Sequence, residues 1–341
     1  FAPWKPLMRI ISLNIMMFPF RIGAGRYYMK LTSQIISLIL LFRLMASADD
    51  AQPGRWGYLQ PGPALTDNYL ETVMRHYTVL CMTGFRIGET GDIAIESTGM
   101  TNKIRSMAGK RRVTLYPLVS FKSAALGHRI LSSRVLREKT AVKLSNFIRS
   151  KGFAGVHLDF EYLPPEDAGK LGDFLDSLRR EYSGKITMAV FPPVGFPEKW
   201  NRFHDLSIIA SRVDEIVLMC YDLHGTHTGP GPVTDIRWAE QNITRALERM
   251  RPSRIWLGIP AYGYRWCGGK AVALSAREGS RLMEKYSPAR DTSGTLRFFY
   301  SDTGRECTVF FADKQTRSLL QKLADDYGLA GTALWRIGFE D

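Results

Sequence analysis

Residues 155–165 read GVHLDFEYLPP. Side chains alternate sides along a β-strand, so His157, Asp159 and Glu161 share one face and Val156, Leu158 and Phe160 the other. A strand of this kind suits a closed parallel sheet, in which the apolar face meets an outer layer of helices and the polar face points into the lumen. Apolar residues normally fill such a lumen. Two carboxylates brought together there suffer desolvation and mutual repulsion, which raises the pKa of at least one. A carboxyl held protonated near neutral pH is a general acid. Glu161 stands last on the strand, at the carboxyl end where barrel sites open, and Asp159 lies one step deeper. The competing interpretation is a buried polar network that ties strands together without doing chemistry.

Outward from this strand, short apolar runs alternate with helical patterns, the mark of repeated βα units. Strands are expected at 56–59, 77–83, 113–120, 156–161, 186–191, 215–221, 255–260 and 332–336, enough to close a barrel. After Pro164-Pro165, the residues Leu171, Phe174, Leu175 and Leu178 recur at helical spacing, with Glu166 and Asp167 in the first turn, where the helix dipole favours acids. Similar stripes run over 137–150, ending before Gly152, and over 238–250. Residues 267–312 break the rhythm with a short helix candidate and two strand-like segments, before a final helix over 314–327. The expected fold is an α/β (β/α)8 TIM barrel over residues 55–341, with a small α+β insertion at 267–312 between strand 7 and the last helix. An insertion at that end would wall one side of a cleft.

The chain has 341 residues, 45% of them hydrophobic, and a formal charge of +13. Six of those positive charges (Lys5, Arg9, Arg21, Arg26, Lys30 and Arg43) lie within residues 1–48, which hold no acid, leaving +7 for the rest. That remainder is dispersed, without the basic runs and interleaved aromatics of a nucleic-acid groove, so no nucleic-acid partner is expected. Residues 1–48 read as a leader and signal region. Met29-Lys30 precedes the apolar run 35–42, and Ala46-Ser47-Ala48 supplies a small-x-small cleavage pattern before Asp49, with Met29 expected as the true start of translation. The apolar run is too short to span a bilayer, so a stable membrane span after signal removal is not expected. The expected location is periplasmic or extracellular, at the cell wall. Among four cysteines no CxxC spacing occurs; Cys81 and Cys220 sit in apolar runs as buried thiols. Cys267 and Cys307 flank the insertion and would be free to pair in an oxidising compartment, although sequence does not show the geometry a disulfide requires.

Three further stretches bear on the chemistry. LMCYDLHG (218–225) turns Met219 and Tyr221 inward and leaves Asp222 at a rim; GIPAYGYRW (258–266) follows another strand; ALWRIGFED (333–341) brings Trp335. Together with GVHLDFEYLPP, in this order and spacing, they resemble glycoside hydrolase family 18, within it the bacterial branch of spore cortex-lytic and cell-wall enzymes. The resemblance covers residues 55–341. It implies substrate-assisted retention, in which the substrate's own N-acetyl carbonyl attacks the anomeric carbon and no enzyme nucleophile is needed. It further implies Glu161 as acid/base, Asp159 orienting the acetamido nitrogen, Tyr221 donating to the acetamido carbonyl, Asp222 as a sugar partner and Trp335 as the platform under the distorted sugar. The substrate would be a β-1,4-linked glycan bearing N-acetylhexosamine, of the peptidoglycan or chitin type, and the enzyme a glycosidase acting as a monomer without a cofactor.

Two positions depart from the family pattern DxxDxDxE: its first and second acids fall on Ala154 and His157. A neutral imidazole at 157 would be able to hydrogen-bond Asp159 from below, whereas a protonated one would lower that carboxylate's pKa. Met219 and His157 are taken as substrate-side residues, and Trp266 and Arg265 either extend the sugar platform or pack the insertion. Trp56, Tyr58 and Phe85 are candidate subsite walls or, more simply, core. His224 and His227 form a loop HxxH with only Asp222 as a fitting third ligand, so no metal is expected. No phosphate-binding glycine loop or nucleophile elbow occurs. A non-catalytic, lectin-like binding protein on the same barrel is the alternative function; such members lack the acid that stands here at Glu161. An interaction protein docking through the insertion would be indicated if no glycan bound.

Overall fold

The computed structural model describes residues 54–340, so the expected leader and signal region falls outside the described residues. In chain order the strands are β1 (Gly54–Leu59), β2 (Val79–Ile87), β3 (Ile93–Ile95), β4 (Thr114–Phe121), β5 (Gly155–Leu158), β6 (Lys185–Val190), β7 (Glu215–Met219), β8 (Ile255–Pro260), β9 (Tyr262–Cys267), β10 (Lys270–Ser275), β11 (Ala289–Arg290), β12 (Leu296–Asp302), β13 (Arg305–Phe311) and β14 (Gly331–Trp335). Eight of them pair in parallel in the order β1-β14-β8-β7-β6-β5-β4-β2, and β1 pairs again with β2 to close the barrel. β3 adds an antiparallel ribbon to the far end of β2. Each expected strand falls on one stave of this barrel.

The helices form where the apolar stripes lie and stop where the backbone demands. Ser133 caps Arg134–Lys151 by accepting from the Leu136 amide, and Gly152, at φ 64°, ends it in the left-handed region. Ala168–Glu181 buries Leu171, Phe174, Leu175 and Leu178. Asp235 and Asp313 cap Ile236–Leu247 and Lys314–Asp326. The outward face of the 155–161 stretch meets this layer: Val156, Leu158 and Phe160 are buried. Phe160 stacks on Phe121 at 4.1 Å and packs at a tilt on Phe174 of the facing helix at 5.6 Å. Side chains of this size gain about 2 kcal/mol each from such burial, which commits the carboxylates to the lumen side.

Two boundaries differ from expectation. The β5 ladder ends at Leu158, three residues short of Glu161, because the chain leaves the sheet and turns at Tyr162, whose φ is 60°. The insertion begins at Tyr262 and not at 267. β9 follows β8 after Ala261 alone and opens a second sheet, antiparallel, in the order β10-β9-β13-β12-β11. The hairpin between β9 and β10 turns on Gly268 and Gly269, both at positive φ, as a type I′ turn requires. The helix Ala276–Met283 covers one face of this sheet over Leu274, Phe298, Val309 and Phe311. Cys267 and Cys307, directly opposite each other on β9 and β13, form a disulfide; Cys81 and Cys220 are buried free thiols.

Candidate active site

Along 155–161, Asp159 and Glu161 are the only residues that keep partial exposure, because they line the open carboxyl end of the barrel. Leaving the ladder does not separate them: their carboxyls hydrogen-bond each other. Burial raises the pKa of both. On Asp159 the bond from Glu161 opposes that rise, whereas on Glu161 the charge of Asp159 and the same bond add to it. The shared proton therefore resides on Glu161, and Asp159 accepts it. Tyr162 donates a further hydrogen bond to Glu161.

The other strand ends complete the mouth. Tyr221 lies beyond β7, its hydroxyl kept protonated by burial and by the nearby Glu161, Asp159 and Asp222. Asp222 sits at φ 57°, a costly conformation for a non-glycine residue, and is held by the hydroxyls of Tyr262 (2.6 Å) and Tyr264 (2.8 Å) from β9. Burial raises its pKa, and the two tyrosine bonds work against that rise. Glu161, Met219, Tyr221 and Asp222 line a cleft of about 270 Å³ together with an aromatic wall of Tyr162, Phe191, Phe196 and Trp200. Thr226 and His227 close it from the β7–β8 loop.

Below the mouth, His157 departs from the expected role. It is 0% exposed, and both ring nitrogens are engaged away from Asp159. Nε2 lies 2.9 Å from the Tyr58 hydroxyl and Nδ1 2.9 Å from Thr187 Oγ1. Thr187 donates to the Val156 carbonyl at 3.1 Å, so its oxygen accepts from Nδ1–H, and Nε2 then accepts from Tyr58. Burial pushes the imidazole down to about 3, which excludes the charged form under ordinary conditions. His157 is thus a floor beneath the site and not a substrate contact. Trp56, Tyr58 and Phe85 are likewise buried core. Ala154 is exposed, outside the lumen, before β5 begins.

Trp335 ends β14 half-buried, its ring 5.1 Å from that of Tyr58. Trp266 and Arg265 part company because neighbours on a strand face opposite ways. Trp266 follows Tyr262 and Tyr264 toward the cleft side but is 4% exposed, its indole aimed at the Thr228 carbonyl at 3.4 Å, so it supports the β7–β8 loop. Arg265 points to the other face and lines a separate groove of about 600 Å³ on the insertion with Val272, Leu274, Glu278 and Arg281. That groove is roomier than the cleft, and Glu278 on its wall is engaged in capping its helix through Ser275. Neither Trp266 nor Arg265 lines the cleft. Sequence reading passed over Tyr262, Tyr264, Tyr162 and Trp200; the period-two pattern of 262–266 contained the signal for the first two. Among the described residues no cluster of three or more His, Cys, Asp or Glu could hold a metal, and no helix is long and apolar enough to cross a membrane.

A model described as glycosyl hydrolases family 18 matches residues 67–340. The chain belongs to glycosyl hydrolase family 18. This family 18 chain is a glycosidase, and its relatives are wall-lytic proteins and chitinases. The cortical fragment-lytic enzyme of Bacillus subtilis is 25% identical over 82% of this chain and 70% of its own length. The glycosylase YvbX of the same organism is 24% identical over 74% of this chain and 80% of its own. Among solved structures, the chitinase of Chromobacterium violaceum superposes with a TM-score of 0.78 at 25% identity, covering 85% of this chain and 96% of that one. The Bacillus cereus spore cortex-lytic enzyme SleL superposes at 0.74 with 24% identity, over 84% and 71%.

Proposed function

We propose that this family 18 chain cleaves β-1,4 bonds next to N-acetylhexosamine by substrate-assisted retention, with Glu161 as acid/base. The observation that carries the reading is the hydrogen-bonded Asp159–Glu161 pair at the barrel mouth, with its proton on Glu161. Glu161 gives that proton to the leaving glycosidic oxygen as the acetamido carbonyl oxygen forms its bond to the anomeric carbon. Water then attacks the same carbon, the acetamido bond breaks, and Glu161 recovers the proton from the water. Asp159, left as a carboxylate, orients and stabilises the acetamido N–H. Tyr221 donates to the acetamido oxygen, Asp222 and Met219 contact the sugar, and Trp335 offers it a partly exposed ring.

The kinship with the cortical fragment-lytic enzyme favours peptidoglycan over chitin-type oligomers, and with it an exported protein acting at the cell wall. Wild type and Glu161→Gln, incubated with purified peptidoglycan and with N-acetylglucosamine oligomers, decide the matter by product mass spectrometry. Release by the wild type alone names the acid and the polymer. Equal release by both proteins would remove Glu161 from the mechanism, and glycan binding without release by the wild type would favour a lectin-like role.

A further inference from the structure

We infer that His204, which does not line the cleft, is a positioning residue that sets the placement of Glu161. The inference rests on the reading of Glu161 as the acid. Backbone pairing of β5 with β6 ends at Leu158 opposite Met188, so the chain that carries Asp159 and Glu161 continues without its neighbour's ladder on that side. His204 spans the gap. The Phe191 amide, one residue past β6, donates to Nδ1 at 2.9 Å. Nδ1 therefore carries no proton, the neutral ring must carry it on Nε2, and Nε2 donates to the Phe160 carbonyl at 2.9 Å. That carbonyl belongs to the peptide unit whose nitrogen is Glu161's own. The bond fixes the plane from which the acid side chain departs.

The other end of the bridge reaches the cleft wall. Phe191 stacks on Phe196 at 4.9 Å and faces Tyr162 at 5.5 Å, so one imidazole ties the acid's peptide to the aromatic wall beside it. His204 is itself held firmly. It is 3% exposed, its ring packs on Phe191 at 5.0 Å and Phe203 at 5.1 Å, and its amide bonds the Asn201 carbonyl at 2.9 Å. Asn201 is buried and donates in turn to the carbonyls of Pro192, Pro193 and Phe196. Burial pushes the imidazole down to about 4, so the single tautomer that makes both bonds persists through the neutral range. His204 itself does not line the cleft; its action passes through the backbone of Glu161.

Three substitutions separate positioning from plain stabilisation. The amide of Gln at 204 reaches the place of Nε2 and can still donate to Phe160; that of Asn reaches the place of Nδ1 and can accept only from Phe191. On N-acetylglucosamine oligomers and purified peptidoglycan, His204→Leu is expected to lower kcat about ten- to a hundred-fold with KM within about twofold, the scale of a misplaced reacting group. The basic limb of its kcat–pH profile moves as well. His204→Gln recovers most of kcat, and His204→Asn does not, although both restore thermal stability. A folded His204→Leu with kcat within twofold of wild type, a loss confined to KM, or equal recovery by Gln and Asn overturns the inference. If the Leu variant does not fold, the Gln and Asn pair decides. If Glu161→Gln is fully active, the acid assignment fails and this inference with it; if Glu161→Gln is dead while His204→Leu is unimpaired, only the positioning role fails.

Discussion

The floor and the mouth of the barrel lumen both carry polar side chains from the same stretch of chain, two residues apart, yet they are built to opposite ends. At the floor, His157 is enclosed by Trp56 and Tyr58, with both nitrogens bonded and the ring held neutral. At the mouth, Asp159 and Glu161 have each other, one shared proton and a cleft. A polar group whose partners are complete contributes order to the fold. A carboxyl pair that cannot both ionise stores a proton that leaves when a better base arrives. The same strand periodicity delivers both; what differs is whether the neighbouring staves close over the side chain or open around it.

The largest effect that would break this contrast lies at the mouth. Glu161→Gln is expected to lower turnover by at least about 1000-fold while folding normally, the range of a positioned acid and base. Because burial already disfavours the ionised carboxyl, the same substitution raises Tm at neutral and higher pH, so activity and stability move in opposite directions. Wild-type turnover should fall as the pH rises through the raised pKa of Glu161, since the acid is then lost. Parallel kinetics and calorimetry check both points, and a variant that is both inactive and destabilised would place Glu161 with the floor.

Asp159→Asn and Tyr221→Phe come next, each costing about 100- to 1000-fold in kcat with smaller changes in KM, as expected of groups that stabilise charge formed in the transition state. Steady-state kinetics on N-acetylglucosamine oligomers would reveal it; a loss confined to KM would make either residue a simple sugar contact.

The floor is sharpened by acid. His157 and His204 are neutral and buried, with pKa values of about 3 and about 4 against 6.5 unfolded. Below pH 6.5 the unfolded chain takes up protons that the native state refuses, so stability falls as the pH drops toward 4, by up to about 1.4 kcal/mol per unit for each histidine. Thermal melts from pH 7 to 4 should show the decline, and His157→Gln should make it shallower. An unchanged slope would mean that His157 is solvated.

The smallest catalytic effect belongs to the insertion. Reducing Cys267–Cys307, which closes a separation of 40 residues, should cost about 2–4 kcal/mol of stability. Tyr262 and Tyr264 would still reach Asp222 at moderate temperature, so activity changes less than about threefold. Melts and assays with and without reductant test this; a large activity loss at constant fold would tie the disulfide to the placement of Asp222.

Much of the barrel was legible because each stave announced itself by an apolar run and each helix by a stripe, and these are local patterns. GVHLDFEYLPP carried the acid pair for the same reason: alternation puts Asp159 and Glu161 on one side whichever strands lie next to them. The errors arose where a partner decides the role. Nothing near His157 in sequence indicates that Tyr58, 99 residues away, would take its Nε2. For Trp266 and Arg265 the sequence leaves open a sugar platform or packing of the insertion, and only strand geometry sends them to opposite faces of the insertion, neither lining the cleft.

By itself the sequence determined the fold class and the placing of Asp159 and Glu161 on one side at the carboxyl end of one stave, because those follow from periodicity and from the cost of burying charge. Only the tertiary structure decided which histidine is floor and which is bridge, that Tyr262 and Tyr264 hold Asp222, and that an aromatic wall stands beside Glu161. Those assignments depend on hydrogen bonds and ring contacts between segments that share no local pattern, and such contacts come into being when the barrel closes.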